Sequence, residues 1–134
     1  MRIIVAGNRT FTNFDLMAQT LDNFIYNKNK ANLTIVSGEA VGADELSKKY
    51  AKMNDIKCAD FVAPWESMGR SAGPFRNNLM ADYALKDPDG EAVLFAFWDG
   101  ESAGTGNMIK VAKKKKIETH ILLWHPEEEE DNGI

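Results

Sequence analysis

The residues best suited to chemistry cluster in four short stretches, each rich in glycine or polar side chains. The first is Gly7-Asn8-Arg9-Thr10-Phe11. Its glycine allows close backbone approach, and Arg9 offers a forked, permanently charged donor that suits phosphate or carboxylate. The second is Ser37-Gly38-Glu39-Ala40-Val41-Gly42-Ala43-Asp44. Gly38 and Gly42 flank an expected helix start, where exposed N–H groups and the helix dipole favour an anion. The stretch lacks the Lys-Ser/Thr ending of a P-loop, so ATP hydrolysis of that type is not indicated. Glu39 and Asp44 repel phosphate and suit ribose hydroxyls or base amino groups. Asp44 also fits a plain helix-capping or first-turn acid.

The third stretch runs from Pro64 to Phe75 and on through Arg76-Asn77-Asn78. A dozen loop residues in so small a domain point to function. Pro74 suits a first helical turn, which puts Arg76 against the helix dipole and makes it a ligand-binding candidate; the alternative is a surface ion pair. The fourth stretch, Trp98 to Asn107, carries Asp99 and then Gly104-Thr105 at another helix start, again a backbone nest with a hydroxyl. Trp98 could stack on a base or simply cap the core.

These stretches need elements to hold them. Five short apolar runs, Ile3–Ala6, Leu33–Val36, Cys58–Val62, Val93–Phe97 and Thr119–Leu123, read as strands buried on both faces. Helical spacing fills the gaps: Met17, Leu21, Phe24 and Ile25; Leu46, Tyr50 and Met53; Phe75, Leu79 and Tyr83; and a last helix from about Thr105 to Lys115 with Ile109 and Ala112 inward. Lys113 to Lys116 read as cations at the end of that helix, with an anion patch as the alternative. The alternation predicts one α/β domain: a Rossmann-like three-layer unit of about five parallel strands with helices on both faces. All four polar stretches follow strands, so they should meet at the carboxyl edge of the sheet, where open α/β sheets bind ligands.

The bulk properties narrow the function classes. A chain of 134 residues fits a single domain, and a net charge of −4 offers no basic field for nucleic acid. The lone Cys58 rules out an internal disulfide and a CxxC site, and no run is long enough for a signal peptide or membrane span. A cytoplasmic protein with no membrane partner is expected. His120 and His125 are not spaced as helical metal ligands, so neither a metal nor a cofactor is expected. Residues 1–124 are read as the domain and 125–134, with Glu127 to Asp131, as an acidic solvated tail or an interaction tail.

MRIIVAGNRTF, SGEAVGAD, GPFRNNLMADYA and FWDGESAGTGNMI together resemble the YspA/cpYpsA-related branch of the SLOG superfamily, over about Met1 to Leu123. The resemblance implies a Rossmann-like domain for nucleotides or nucleotide-derived molecules, including NAD- and ADP-ribose-related compounds or cyclic nucleotide signals. It also implies a tendency to form homo-oligomers, and a link to signalling or phage–bacterium conflict. The superfamily includes LOG phosphoribohydrolases, whose arginine corresponds to Arg76 and whose glycine-threonine corresponds to Gly104-Thr105. Their glutamate falls at Met108, and a thioether neither ionises nor activates water. Ser102-Ala103 and Glu39 also stand where glycine is usual. The expected ligand set is therefore Gly7, Asn8, Arg9, Ser37, Gly38, Glu39, Gly42, Asp44, Arg76, Asn77, Trp98, Asp99, Gly104 and Thr105. In it Arg9 and Arg76 hold phosphate, Asp44 or Asp99 reads ribose hydroxyls, and Trp98 or Trp65 covers the base. No catalytic residue is assigned. The leading reading is a sensor or sequestering protein without turnover. The alternatives are a nucleotide-processing hydrolase using one of the loop carboxylates, and an interaction protein with an empty pocket.

Overall fold

The apolar runs become the five strands of one sheet in a computed structural model that describes residues 1–126. Glu127 to Asp131, the heart of the expected tail, lie outside the described residues. The strands are β1 (Arg2–Gly7), β2 (Thr34–Gly38), β3 (Lys57–Phe61), β4 (Ala92–Trp98) and β5 (Glu118–Leu123). They lie in the order β3-β2-β1-β4-β5, every pair parallel. The helices are α1 (Phe14–Ile25), α2 (Ala43–Met53), α3 (Trp65–Met68), α4 (Ala72–Leu85) and α5 (Ala103–Lys114).

Successive strand side chains point to opposite faces, and that period sorts the core into two halves. Ile3, Val5, Ile35, Val93, Phe95 and Phe97 pack with Met17, Leu21 and Ile25 of α1 and Tyr50 of α2. Ile4, Ala6, Val36, Leu94 and Ala96 pack with Met80, Ala81 and Ala84 of α4 and with Met108, Ile109 and Ala112 of α5. The result is a doubly wound three-layer α/β domain. The change of face comes between β1 and β4, which pair from Arg2–Ala92 to Gly7–Phe97. The loops leaving these two strands diverge there and open a crevice.

Several details differ from the sequence reading. Only the central strands are buried on both faces. β3 exposes Lys57, Cys58 and Asp60, and β5 exposes Glu118, Ile121 and Leu123, because an edge strand has one neighbour and incomplete helical cover. On α4 the expected stripe is not the buried one: Phe75 and Leu79 are 43% and 41% exposed, while Asn77, Met80, Ala81 and Ala84 face inward. α4 lies against both the sheet and α5, and close approach on two sides selects small residues over a large apolar stripe. Met53 of α2 is likewise exposed, and its inward face is Ala43, Asp44, Ser47, Tyr50 and Ala51. The long third loop is mostly helical: α3, a 3-10 turn at Gly69–Ser71, and then α4, which begins at Ala72 and keeps Pro74 in its first turn.

Candidate functional site

The crevice at the β1/β4 divergence is a cavity of about 550 Å³, within the range that small-molecule sites occupy. Its walls come from the ends of β1 and β2 and the starts of α2, α4 and α5. Three guanidinium groups, Arg9, Arg70 and Arg76, line it with one buried carboxylate, Asp44.

The β1 loop is built to be rigid behind and open in front. Asn8 is buried, its N–H donates to the Phe97 carbonyl at 3.1 Å, and its side-chain oxygen accepts from the Asp99 N–H at 3.3 Å. Three residues on, Phe11 anchors the loop in the core, its ring 5.0 Å from those of Phe97 and Trp124. Between these anchors Arg9 and Thr10 are exposed at the cavity rim. Gly7 does not make room for a ligand. A Cβ there would stand 2.6 Å from the Ala43 Cβ and from the Phe97 carbonyl, so the missing side chain allows α2 to close on the sheet.

The β2 loop holds Asp44. At Gly42, φ +80, a Cβ would strike the carbonyls of Asn8 and Arg9, and the next N–H, of Ala43, donates to the Asn8 carbonyl at 3.2 Å, which ties this loop to the first. Ser37 is fully buried; its single hydroxyl proton has the Gly38 carbonyl at 2.9 Å and the Asp44 carbonyl at 3.2 Å as acceptors, and the Ser47 hydroxyl lies 3.1 Å away. With the α2 backbone pinned in this way, the Asp44 side chain turns back, and Oδ2 accepts from the Ala40 N–H at 3.3 Å. Asp44 is 7% exposed. Burial pushes its carboxyl up to about 7, against the pull of Arg76, the Ala40 N–H, Lys48 and Arg9. A cavity carboxyl poised near neutrality can accept a hydrogen bond from a hydroxyl or, when protonated, donate one.

Arg76 approaches from α4. Its Nε donates to Asn77 Oδ1 at 3.2 Å and one terminal nitrogen to the Phe61 carbonyl at 3.4 Å. Burial lowers its pKa, opposed by Asp44 and assisted by the neighbouring Arg9. The group remains a cation, as guanidinium does in proteins. Asn77, 5% exposed, donates to the Gly104 carbonyl at 3.3 Å and to Asn107 Oδ1 at 2.9 Å. It therefore ties Arg76 to the head of α5.

The α5 start completes the wall. Asp99 Oδ1 accepts from the N–H groups of Glu101 and Ser102, both at 2.8 Å, and these bonds hold its carboxyl below the ordinary range. No side chain caps α5, so its first-turn N–H groups have no intrahelical partner. Ala103, Gly104 and Thr105 line the cavity, and a Cβ added to Gly104 would meet nothing within 4 Å. Met108 is 1% exposed in the apolar layer and lines the cavity from α5.

Ten of the residues singled out in the sequence thus line one cavity: Gly7, Asn8, Arg9, Gly38, Asp44, Arg76, Asn77, Asp99, Gly104 and Thr105. Ser37 and Gly42 stand behind it as supports. Glu39 turns outward to Lys48 at 3.1 Å, which keeps its charge out of the main cavity. Trp98 is away from it too: its indole N–H donates to the Ser102 carbonyl at 3.0 Å and its ring covers Gly106. Trp65 is the aromatic side chain that lines the cavity, packed over Gly73. Arg70, Ala40 and Asn107 were not singled out. For Arg70 the available signal was a cation between Gly69 and Ser71; for Asn107 it was an amide on the inward face of a helix.

The model of the YspA, cpYpsA-related SLOG family matches residues 1–68, from β1 through α3. The chain belongs to that family. The matched span carries both glycine-bearing loops and Asp44, while Arg76, Asn77 and the α5 start lie beyond it. None of the curated proteins compared with the chain matches it. SLOG membership supports a nucleotide-related ligand, bound or processed. Among the described residues, no helix is long and apolar enough to cross a membrane.

Proposed function

We propose that the chain binds a nucleotide-derived small molecule in the β1/β4 cavity and holds it without turnover, as a sensor or a sequestering protein. The observation that carries this reading is the convergence of Arg9, Arg70 and Arg76 with the uncapped α5 start on one open crevice. Clustered cations and first-turn backbone N–H groups match a phosphate group; the forked guanidinium adds geometric selectivity. Asp44 supplies the acceptor for a sugar hydroxyl, and Trp65 the flat apolar surface for a base. The thioether of Met108 supports binding over LOG-type hydrolysis.

A second reading has one observation in its favour. Asp44, with its pKa raised to about 7 and Arg76 beside it, has the properties of a general acid or base. On this reading the protein cleaves the nucleotide it binds.

One experiment tests both. Purified protein is screened by thermal shift against nucleotides and nucleotide-sugar compounds, and each mixture is analysed by mass spectrometry after long incubation. A ligand at about a hundred times its Kd should stabilise the fold by about 2.7 kcal/mol, a shift of several degrees. Intact ligand recovered after a shift supports the binding reading. Conversion that Asp44→Asn abolishes supports the hydrolase. No shift with any compound overturns both.

A further inference from the structure

The stretch from Pro64 to Ser71 differs from the rest of the cavity wall. It is held between two buried alanines, Ala63 and Ala72, yet every residue from Trp65 to Ser71 is exposed. Its hydrogen bonds run along its own length. The N–H groups of Ser67 and Met68 donate to the Pro64 carbonyl at 3.2 and 2.9 Å, and that of Gly69 to the Trp65 carbonyl. The Ser67 and Ser71 hydroxyls donate to the Pro64 and Met68 carbonyls. Among the described residues, no ion pair or side-chain hydrogen bond joins this stretch to the sheet or to another loop. It nevertheless supplies two of the groups that line the cavity, Trp65 and Arg70. Trp65 rests on Gly73, where an added Cβ would lie 3.3 Å from the ring.

We propose that residues 64–71 form a strap that closes over an anion bound in the crevice and carries Arg70 and Trp65 onto it. The proposal rests on the binding function above and adds the way in which the site closes. A segment that is exposed throughout, with hydrogen bonds only along itself, shifts at little cost in free energy. Gly69 supplies the bend. Its φ is +57, which side chains disfavour, and an added Cβ would meet nothing within 4 Å, so the backbone there has room to change. The buried alanines fix the two ends between which such a motion is confined.

A ligand shifts an equilibrium only through interactions that differ between its two states. Arg70 provides one such difference. It has no carboxylate partner among the described residues, and it borders a cavity that already holds Arg9 and Arg76. Without an anion, like charge opposes its moving further in; with one bound, the same move gains a charge-assisted hydrogen bond. Trp65 provides the other. It is 48% exposed, and closing over a ligand removes more of the indole from water. Both gains require an occupied crevice, so the strap is open when the site is empty and closed when it is loaded. Release then requires the strap to reopen, which suits a protein that holds its ligand.

The test is hydrogen exchange of the full chain read by mass spectrometry, with and without saturating inorganic phosphate or adenosine monophosphate, whose binding is measured by calorimetric titration. In the free protein, residues 64–71 should exchange much faster than the body of α4, and a bound probe should slow them by about tenfold or more. Arg70→Gln, at an exposed position, should still bind the probe, more weakly, and at saturation should lose most of that protection. Exchange at 64–71 as slow as in α4 in the free protein overturns the strap. So does probe binding with no change there, or protection in Arg70→Gln equal to that of the native protein. In each of these cases the titration still shows binding, so the function proposed above stands. If neither probe binds, the anion site falls and the strap with it.

Discussion

The guanidinium of Arg76 and the carboxylate of Asp44 meet over the Cα of Gly38. A Cβ at Gly38 would collide with the Arg76 guanidinium and lie 2.9 Å from Asp44 Oδ2. One group comes from α4 and the other from α2, on opposite faces of the sheet, and only the missing side chain of a β2 residue allows both into the cavity.

Gly38→Ala is therefore expected to separate binding from folding. The colliding atoms are ends of side chains that can swing away, so the stability change should stay within about 1 kcal/mol. Nucleotide affinity should fall by about tenfold or more as Arg76 leaves its position. Melting temperature and ligand titration of the same variant check the two parts.

Asp44 makes stability depend on pH in a defined direction. Its carboxyl is raised from 3.8 to about 7, so between those values the folded protein keeps a proton that the unfolded chain has released. Stability contributed by Asp44 is thus fully present below the lower value and is lost as pH rises to the upper one. Asp44→Asn should flatten this dependence and gain on the native protein above neutrality, by an amount on the order of a few kcal/mol. Denaturant titrations across that window give the measurement; parallel curves for the two proteins would refute a raised carboxyl.

Asn77→Ala should cost both stability and affinity. The variant loses the acceptor for Arg76 Nε and the bonds to Gly104 and Asn107, three hydrogen bonds made by a buried side chain to partners that keep access to water. A loss of about 1–3 kcal/mol is expected, with weaker phosphate binding because Arg76 and the α5 start are no longer tied together. Inorganic phosphate serves as the probe for the second effect.

Phe11→Ala should be the most destabilising of these changes. Phe11 is 1% exposed and packs on Phe97 and Trp124, so truncation leaves a cavity costing about 3–5 kcal/mol. Because Phe11 also anchors the loop that carries Arg9, affinity measured well below the melting temperature should fall too.

The sheet and most of its carboxyl edge were legible because local patterns encode them. Apolar runs such as Ile3–Ala6 cannot be buried on one face only, and glycine or acid-bearing stretches after them mark the loops. Helices against a single layer were legible for the same reason, as Met17, Leu21 and Ile25 show. α4 was not. It packs on two partners, and small residues such as Ala81 and Ala84 carry little periodic signal. The third stretch was read as loop because its turn-forming residues, Gly69 and Ser71, sit in a short 3-10 turn between helices.

By itself the sequence determined the parallel α/β fold, the strands from which the loops leave, and the residue types gathered at one edge. Those follow from hydrophobic period and turn chemistry, which act over a few residues. Only the tertiary structure decided which side chains enter the cavity. Trp98 and Trp65 are both aromatic residues near the carboxyl end of a strand, yet one covers Gly106 and the other faces the ligand space. Glu39 and Asp44 are both acids in one loop, yet Lys48 draws the first outward while the packing of α2 buries the second. Such choices depend on neighbours distant in the chain, so no local pattern carries them.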